Sequence, residues 1–265
     1  MTTDDLRNRS GKMDGTRRAS RRFLAILTAL ALLGVASIAL IPVEELAPQP
    51  LPIGAVWLRL LSLINPLVLA LAAVFAGSFA ARRAGLDAPA IRAQAEGRSA
   101  STVIARQAPV AILAGALVAL LLLAYAGLLP LVLAPDLVAR IGAMEMPLLT
   151  RLLYGGITEE IIARWGLMSL IAWAASRAFA RNGPSSWPIA AAILVSALLF
   201  AAAHLPIAAA TVGSLPPGFV ALMLAANTLA GIVFGWLFWK RGLEAAMIAH
   251  ASAHFFAWLA GALFT

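Results

Sequence analysis

The chain has 265 residues, 62% of them hydrophobic and 12% charged, where a soluble domain carries roughly 45 to 50% apolar and about 25% charged residues. That balance excludes an ordinary soluble globule and predicts an all-α fold, a polytopic transmembrane bundle of about seven helices. The net charge of +8 would raise the question of nucleic acid in a soluble protein, and the absence of cysteine excludes disulfides, thiolate metal sites and cysteine nucleophiles.

Residues 1–22 read as a basic cytoplasmic tail, with Arg7, Arg9, Lys12, Arg17, Arg18, Arg21 and Arg22 against Asp4, Asp5 and Asp14. Seven apolar segments follow, at 23–41, 55–80, 108–128, 148–175, 188–206, 218–239 and 243–263, each long enough to cross roughly 30 Å of hydrocarbon at about 1.5 Å per residue. Helix is their expected state: strands of a membrane barrel alternate polar and apolar, whereas 117–126 is apolar on every side. Ser20-Arg21-Arg22-Phe23-Leu24 resembles a twin-arginine export signal, but a spacer residue is missing and the apolar run is long for a signal, so a retained first helix is expected. Pro42, Pro48, Pro50 and Pro52 mark the first outer loop, and Gly183-Pro184 and Pro216-Pro217 mark later turns. The basic loop 81–107 reads as solvated rather than as a separate domain. Residues 23–147 form the N-terminal transmembrane helices with that loop, and 148–263 the region that carries the chemistry.

Basic residues set the orientation. With a cytoplasmic N-terminus the inner side receives the tail, then Arg82, Arg83, Arg92, Arg98, Arg106, Arg177, Arg181, Lys240 and Arg241, while the outer side receives only Arg59, Arg140 and Arg151. A multi-pass protein of the cell membrane is expected, with the lipid bilayer as its surroundings and no nucleic-acid partner.

Six ionisable side chains fall where a bilayer tolerates them poorly: Glu159, Glu160 and Arg164 in the fourth segment, His204 in the fifth, His250 and His254 in the seventh. A charge at the centre of a spanning helix costs at least ~2.5 to 3.5 kcal/mol, so such residues face a bundle interior and carry function. Glu160 and Arg164 stand four apart, the favourable order for an ion pair on one face. Glu159 is turned about 100° away on an α-helix, toward Gly155, Gly156 and Ala163, and is expected to point into the space these leave. Phe200 and His204 share a face near a helix end, where Pro206 frees a carbonyl close to Ala202. His250 and His254 share a face with small residues around them, at a spacing that suits metal chelation or bonds across the bundle. Counted from the inner helix ends, Glu159 and His204 lie near ~24 Å depth, His254 near ~17 Å and His250 near ~11 Å.

Glu159-Glu160-Ile161-Ile162-Ala163-Arg164 fits E-E-x-x-x-R, Phe200 to His204 fits F-x-x-x-H, and His250 to His254 falls where H-x-x-x-N or H-x-x-x-D is usual, in the same order and spacing. The second half of the chain, roughly 148 to 260, thereby resembles the CPBP proteins (CAAX proteases and bacteriocin-processing enzymes, also called the abortive-infection family). The resemblance implies an intramembrane peptidase acting on a peptide or membrane protein, with Glu159 as general base, His204 holding the water, His250 and position 254 stabilising the oxyanion, and Glu160 and Arg164 in support. His254 departs from the usual Asn or Asp. Two mechanisms stay open: direct activation of water by Glu159, or a zinc site drawn from His204, His250, His254 and Glu159, although the H-E-x-x-H of zinc proteases is absent. Two other functions compete, a proton- or ion-coupled transporter and a non-catalytic bacteriocin-immunity protein. Rhomboid-type serine chemistry lacks its Gly-x-Ser-Gly setting. An aspartyl dyad lacks buried acids, because Asp4, Asp5, Asp14, Asp87 and Asp136 all lie in the tail or loops.

Overall fold

The computed structural model describes residues 3–42, 53–142, 146–179, 186–213 and 215–264, all helix, turn or loop; Pro48, Pro50, Pro52 and Gly183-Pro184 lie outside them. The helices are α1 (Thr3–Ser37), α2 (Ala55–Ser62), α3 (Ile64–Ala80), α4 (Pro89–Ala95), α5 (Ser101–Leu128), α6 (Pro135–Gly142), α7 (Leu148–Thr150), α8 (Ser169–Phe179), α9 (Trp187–Ala202), α10 (Leu205–Val212), α11 (Pro217–Arg241) and α12 (Leu243–Phe264). Between α7 and α8 the chain continues as two wide-turned π-helical segments, Arg151–Thr158 and Ile161–Met168. Proline stands in the first turn of α4, α9, α10 and α11, where its missing N–H has no helical partner to lose.

Among the described residues, six spans are long and apolar enough to cross a membrane: Gly15–Leu40, Ala55–Ala80, Ser101–Leu131, Trp187–Ala210, Pro217–Arg241 and Leu243–Leu263. The expected fourth segment is the helical rod 148–179, more polar than the others because Glu159, Glu160 and Arg164 occupy its middle. It lies at the centre of the bundle, packed against α1, α3, α9, α11 and α12.

Apolar side chains gain little by leaving lipid for another apolar surface, so close packing between small residues holds such helices together. A methyl carbon added at Gly166 would stand 2.5 Å from the Cβ of Ala73 on α3, and one at Gly156 would stand 2.7 Å from that of Ala251 on α12. On α5, Gly115 brings the backbone equally close to the Ala249 carbonyl of α12, with 2.5 Å left for a Cβ. The first helix is integral to this packing. Leu27 and Ala31 are fully buried, Thr158 donates its hydroxyl to the Ala31 carbonyl at 3.0 Å, and Thr150 donates to that of Ser37 at 2.7 Å. The helix begins at Thr3, so the basic tail continues the backbone of α1.

The loop 81–107 is packed, contrary to the solvated loop that its basic residues suggested. Leu86, Ala88, Ala90, Ala93 and Ala95 are at most 3% exposed. Alanines leave α4 room to lie beneath the start of α12, where the carboxylate of Glu244 accepts the Ile91 N–H at 2.8 Å and Leu243 N–H donates to the Asp87 carbonyl at 3.1 Å. Gly242 turns between α11 and α12 at φ 105°, against the ring of Pro89, a conformation open to glycine. The foot of α12 is therefore internal: Leu243, Ala245 and Ala246 are fully buried.

Candidate active site

Glu159 and Glu160 stand at the junction of the two π-helical segments. A π turn holds more residues than an α turn and rotates less per residue. The acids themselves keep α-helical dihedrals between these wider turns, and both meet one imidazole. Glu160 Oε1 accepts a hydrogen bond from His250 Nδ1 at 2.8 Å, and Glu159 Oε2 lies 4.0 Å from His250 Nε2. The second distance is too long for a direct hydrogen bond. Because the Nδ1 proton is engaged by Glu160, Nε2 is the nitrogen presented to Glu159.

The two acids differ in their surroundings. Glu160 is fully buried and ion-paired with Arg164, itself 1% exposed, at 3.2 Å from Nη1 to Oε1. That pair is out of line for a hydrogen bond, and Nη1 and the other oxygen of Glu160 have no hydrogen-bond partner among the described residues. Arg164 is instead anchored through Nη2, which donates to the Gly231 carbonyl at 3.0 Å, while its guanidinium lies 5.2 Å from the Phe200 ring centroid and 5.6 Å from that of Phe234. Glu159 keeps a side chain 20% exposed, with Tyr154 in electrostatic reach.

The space beside Gly155 and Gly156, expected to be open to Glu159, is where α12 docks. A Cβ at Gly155 would stand 2.7 Å from His254 Nε2, and Gly156 faces Ala251. His254 stacks on His250, with ring centroids 4.8 Å apart and planes 23° apart, and Phe234 stacks on the other face of His250 at 4.6 Å and 20°. Two rings of α12 and one of α11 thus form a column beside the acids.

His204 sits where α9 gives way to α10. The helix breaks one turn before Pro206, and the carbonyl taken up there is that of Phe200, bonded to His204 Nδ1 at 2.8 Å; the two rings meet edge to face at 4.8 Å. This leaves Nε2 of His204 available. His204 and Arg151 lie in electrostatic reach of His254. All six residues singled out in the sequence are therefore brought into one neighbourhood, five in a continuous chain of contacts and His204 through Phe200 and Arg164. The depth count failed because α12 starts inside the bundle, above α4, and not at its surface.

The four residues considered for zinc do not make a ligand set as they stand. Imidazole lone pairs lie in the ring plane, and two nearly parallel stacked rings cannot both aim at one ion at about 2.0 to 2.1 Å. Nδ1 of His250 is also bonded to Glu160, and Nδ1 of His204 to its own helix. Among the described residues no group of three or more His, Asp or Glu side chains is placed to hold a metal. Gly231 and Phe234 were not found from the sequence. A glycine and a phenylalanine in a spanning helix carry no signal there of the carbonyl one offers or the ring the other stacks.

Residues 144–256 match the family model described as type II CAAX prenyl endopeptidase Rce1-like. No curated protein and no solved structure matches the chain. The segment that carries all six residues, in a multi-pass helical bundle, is thus similar to the Rce1-like family of membrane endopeptidases.

Proposed function

We propose that the protein hydrolyses a peptide bond of a membrane-associated protein or peptide by direct attack of a water that Glu159 activates. The observation that carries this reading is one imidazole bracketed by two carboxylates of unlike standing, the buried Glu160 bonded at 2.8 Å and the accessible Glu159 held off at 4.0 Å. Arg164 balances Glu160, and Glu160 fixes the orientation of His250. Glu159 is left as the group free to take a proton.

In the reaction, Glu159 takes one proton from water as its oxygen adds to the substrate carbonyl carbon. His250 keeps its Nδ1 hydrogen bond to Glu160 and turns its Nε2 edge to the oxyanion that develops, which accepts a hydrogen bond there when that nitrogen carries a proton, with His254 beside it. The proton on Glu159 passes to the leaving nitrogen as the C–N bond breaks, which restores the carboxylate. Nε2 of His204 holds the water. No step requires a metal. The basic residues keep the N-terminus on the cytoplasmic side in this reading.

The test is cleavage by purified protein in detergent. A prenylated C-terminal peptide, the substrate class that the family description names, is assayed beside an unlipidated one. Glu159→Gln is expected to lower kcat by about 10² to 10⁴-fold and His204→Ala by a smaller factor, both at unchanged expression and unfolding temperature. Two folded variants with undiminished cleavage would overturn the assignment.

A further inference from the structure

At the far end of the rod from the acids, roughly 25 Å along the helix axis at 1.5 Å per residue, α3 and α8 finish side by side. Between them is an open cleft of about 530 Å³ lined by Arg83, Trp173, Ser176 and Arg177. Arg83 lies in the turn that follows α3, donates to the carbonyl of Phe79, and holds its guanidinium 4.2 Å from the centroid of the Phe79 ring. Trp173 meets the same ring edge-on at 4.9 Å and 79°. Arg177 is one turn beyond Trp173 on α8, on the same face.

Two features suit this cleft to a particular ligand. Its two guanidiniums are exposed, and neither forms an ion pair among the described residues. Their fixed charge, together with the Ser176 hydroxyl, is complementary to a phosphodiester. Back along α3, toward the middle of that span, Phe75 and Phe79 stand two turns and one turn before Arg83 and are 61% and 46% exposed. An apolar stripe thus runs into a basic pocket, with an indole at the boundary where Trp is favoured between hydrocarbon and headgroups. A soluble phosphate would use only the upper half of that surface. An anionic phospholipid uses all of it, acyl chains along the phenylalanines and headgroup between the arginines.

We infer that the Arg83–Arg177 cleft is a binding site for the headgroup of an anionic phospholipid, separate from the hydrolytic centre. The full chain, purified in dodecyl maltoside, is titrated with dioleoyl phosphatidylglycerol, with dioleoyl phosphatidylcholine, and with inorganic phosphate, and bound lipid is counted by native mass spectrometry. The wild-type chain is expected to bind phosphatidylglycerol at least about tenfold more tightly than phosphatidylcholine, a factor in keeping with two basic residues near a headgroup. Arg83→Gln with Arg177→Gln brings the two lipids level, whereas Arg98→Gln with Arg106→Gln, which removes the same charge elsewhere on the loop, leaves the preference in place. If the first pair does not fold, Ser176→Asp sets a carboxylate in the cleft and is expected to abolish the preference without weakening phosphatidylcholine. Equal affinity for both lipids in the wild type overturns the site, as does an equal loss in the Arg98/Arg106 variant. Displacement of the lipid by millimolar inorganic phosphate overturns its assignment to a lipid.

Discussion

Gly155→Ala adds a single methyl group and removes no functional atom. The new carbon would stand 2.7 Å from Nε2 and 3.0 Å from Cδ2 of His254, where ordinary contact is about 3.5 to 4.0 Å. The imidazole must retreat by roughly 1 Å, and behind it lie His250 at 4.8 Å and then Phe234 at 4.6 Å, both stacked face to face. Overpacking of this kind costs about 1–3 kcal/mol, against which alanine returns up to about 1 kcal/mol of helix propensity. Gly127→Ala on α5 is the matched control, because a Cβ there meets nothing within 4 Å and only the propensity gain remains. The two variants should therefore differ by about 1–3 kcal/mol in stability, with Gly127→Ala the more stable by thermal unfolding in detergent. A displacement of about 1 Å in a catalytic group lowers the rate by as much as 10²-fold, so kcat of Gly155→Ala should fall about 10 to 10²-fold with KM little changed. Wild-type kcat in Gly155→Ala, or equal unfolding temperatures for the two variants, would refute the argument that the ring column is rigidly seated on the rod.

Three further outcomes are expected. Arg164→Met leaves Glu160 buried without its counter-charge and should destabilise by about 3–5 kcal/mol; the double change Glu160→Gln with Arg164→Met should be milder, which a double-mutant cycle in thermal unfolding checks. Incubation with phenanthroline or EDTA should leave peptidase activity intact, and activity that is lost and then restored by zinc would require a different seating of the histidines. Glu244→Ala removes the acceptor of the Ile91 N–H in the first turn of α4, a capping loss of about 1 kcal/mol, so hydrogen exchange across 89–95 should quicken while the exchange of α9 stays the same.

The positions of the charged residues were legible because burial is expensive. Glu159, Glu160, Arg164 and the three histidines stand out against apolar spans, and their convergence follows from the need for each to find a polar neighbour. Their angular placement was not legible. The placement assigned to Glu159 and Glu160 assumed α-helical turns on either side of them, and nothing in Arg151–Thr158 or Ile161–Met168 announces the wider turns found there. Depth was equally hidden, since it was counted from helix ends taken to be level, whereas α4 holds the foot of α12 inside the bundle. The basic residues of 81–107 masked the alanine-rich face by which this happens. The first helix itself was legible from its apolar length, and the contacts of Thr150 and Thr158 with α1 show what seats it in the bundle.

The contrast between the adjacent acids bears on why the chain carries both. A buried carboxylate in a membrane bundle is tolerable when its charge is balanced and its oxygens are bonded, and Glu160 meets the first condition through Arg164 and half of the second through His250. Its remaining oxygen has no hydrogen-bond partner among the described residues, so the pair is not optimised for stability alone, and apolar residues of similar volume would cost less. What the pair does provide is a fixed imidazole. With Nδ1 engaged and both ring faces stacked, His250 has one nitrogen left, and it faces Glu159, whose side chain keeps access to its surroundings. A single buried acid could orient the histidine or take a proton from water, but not both at once; in the proposed mechanism two consecutive acids separate these tasks across one ring.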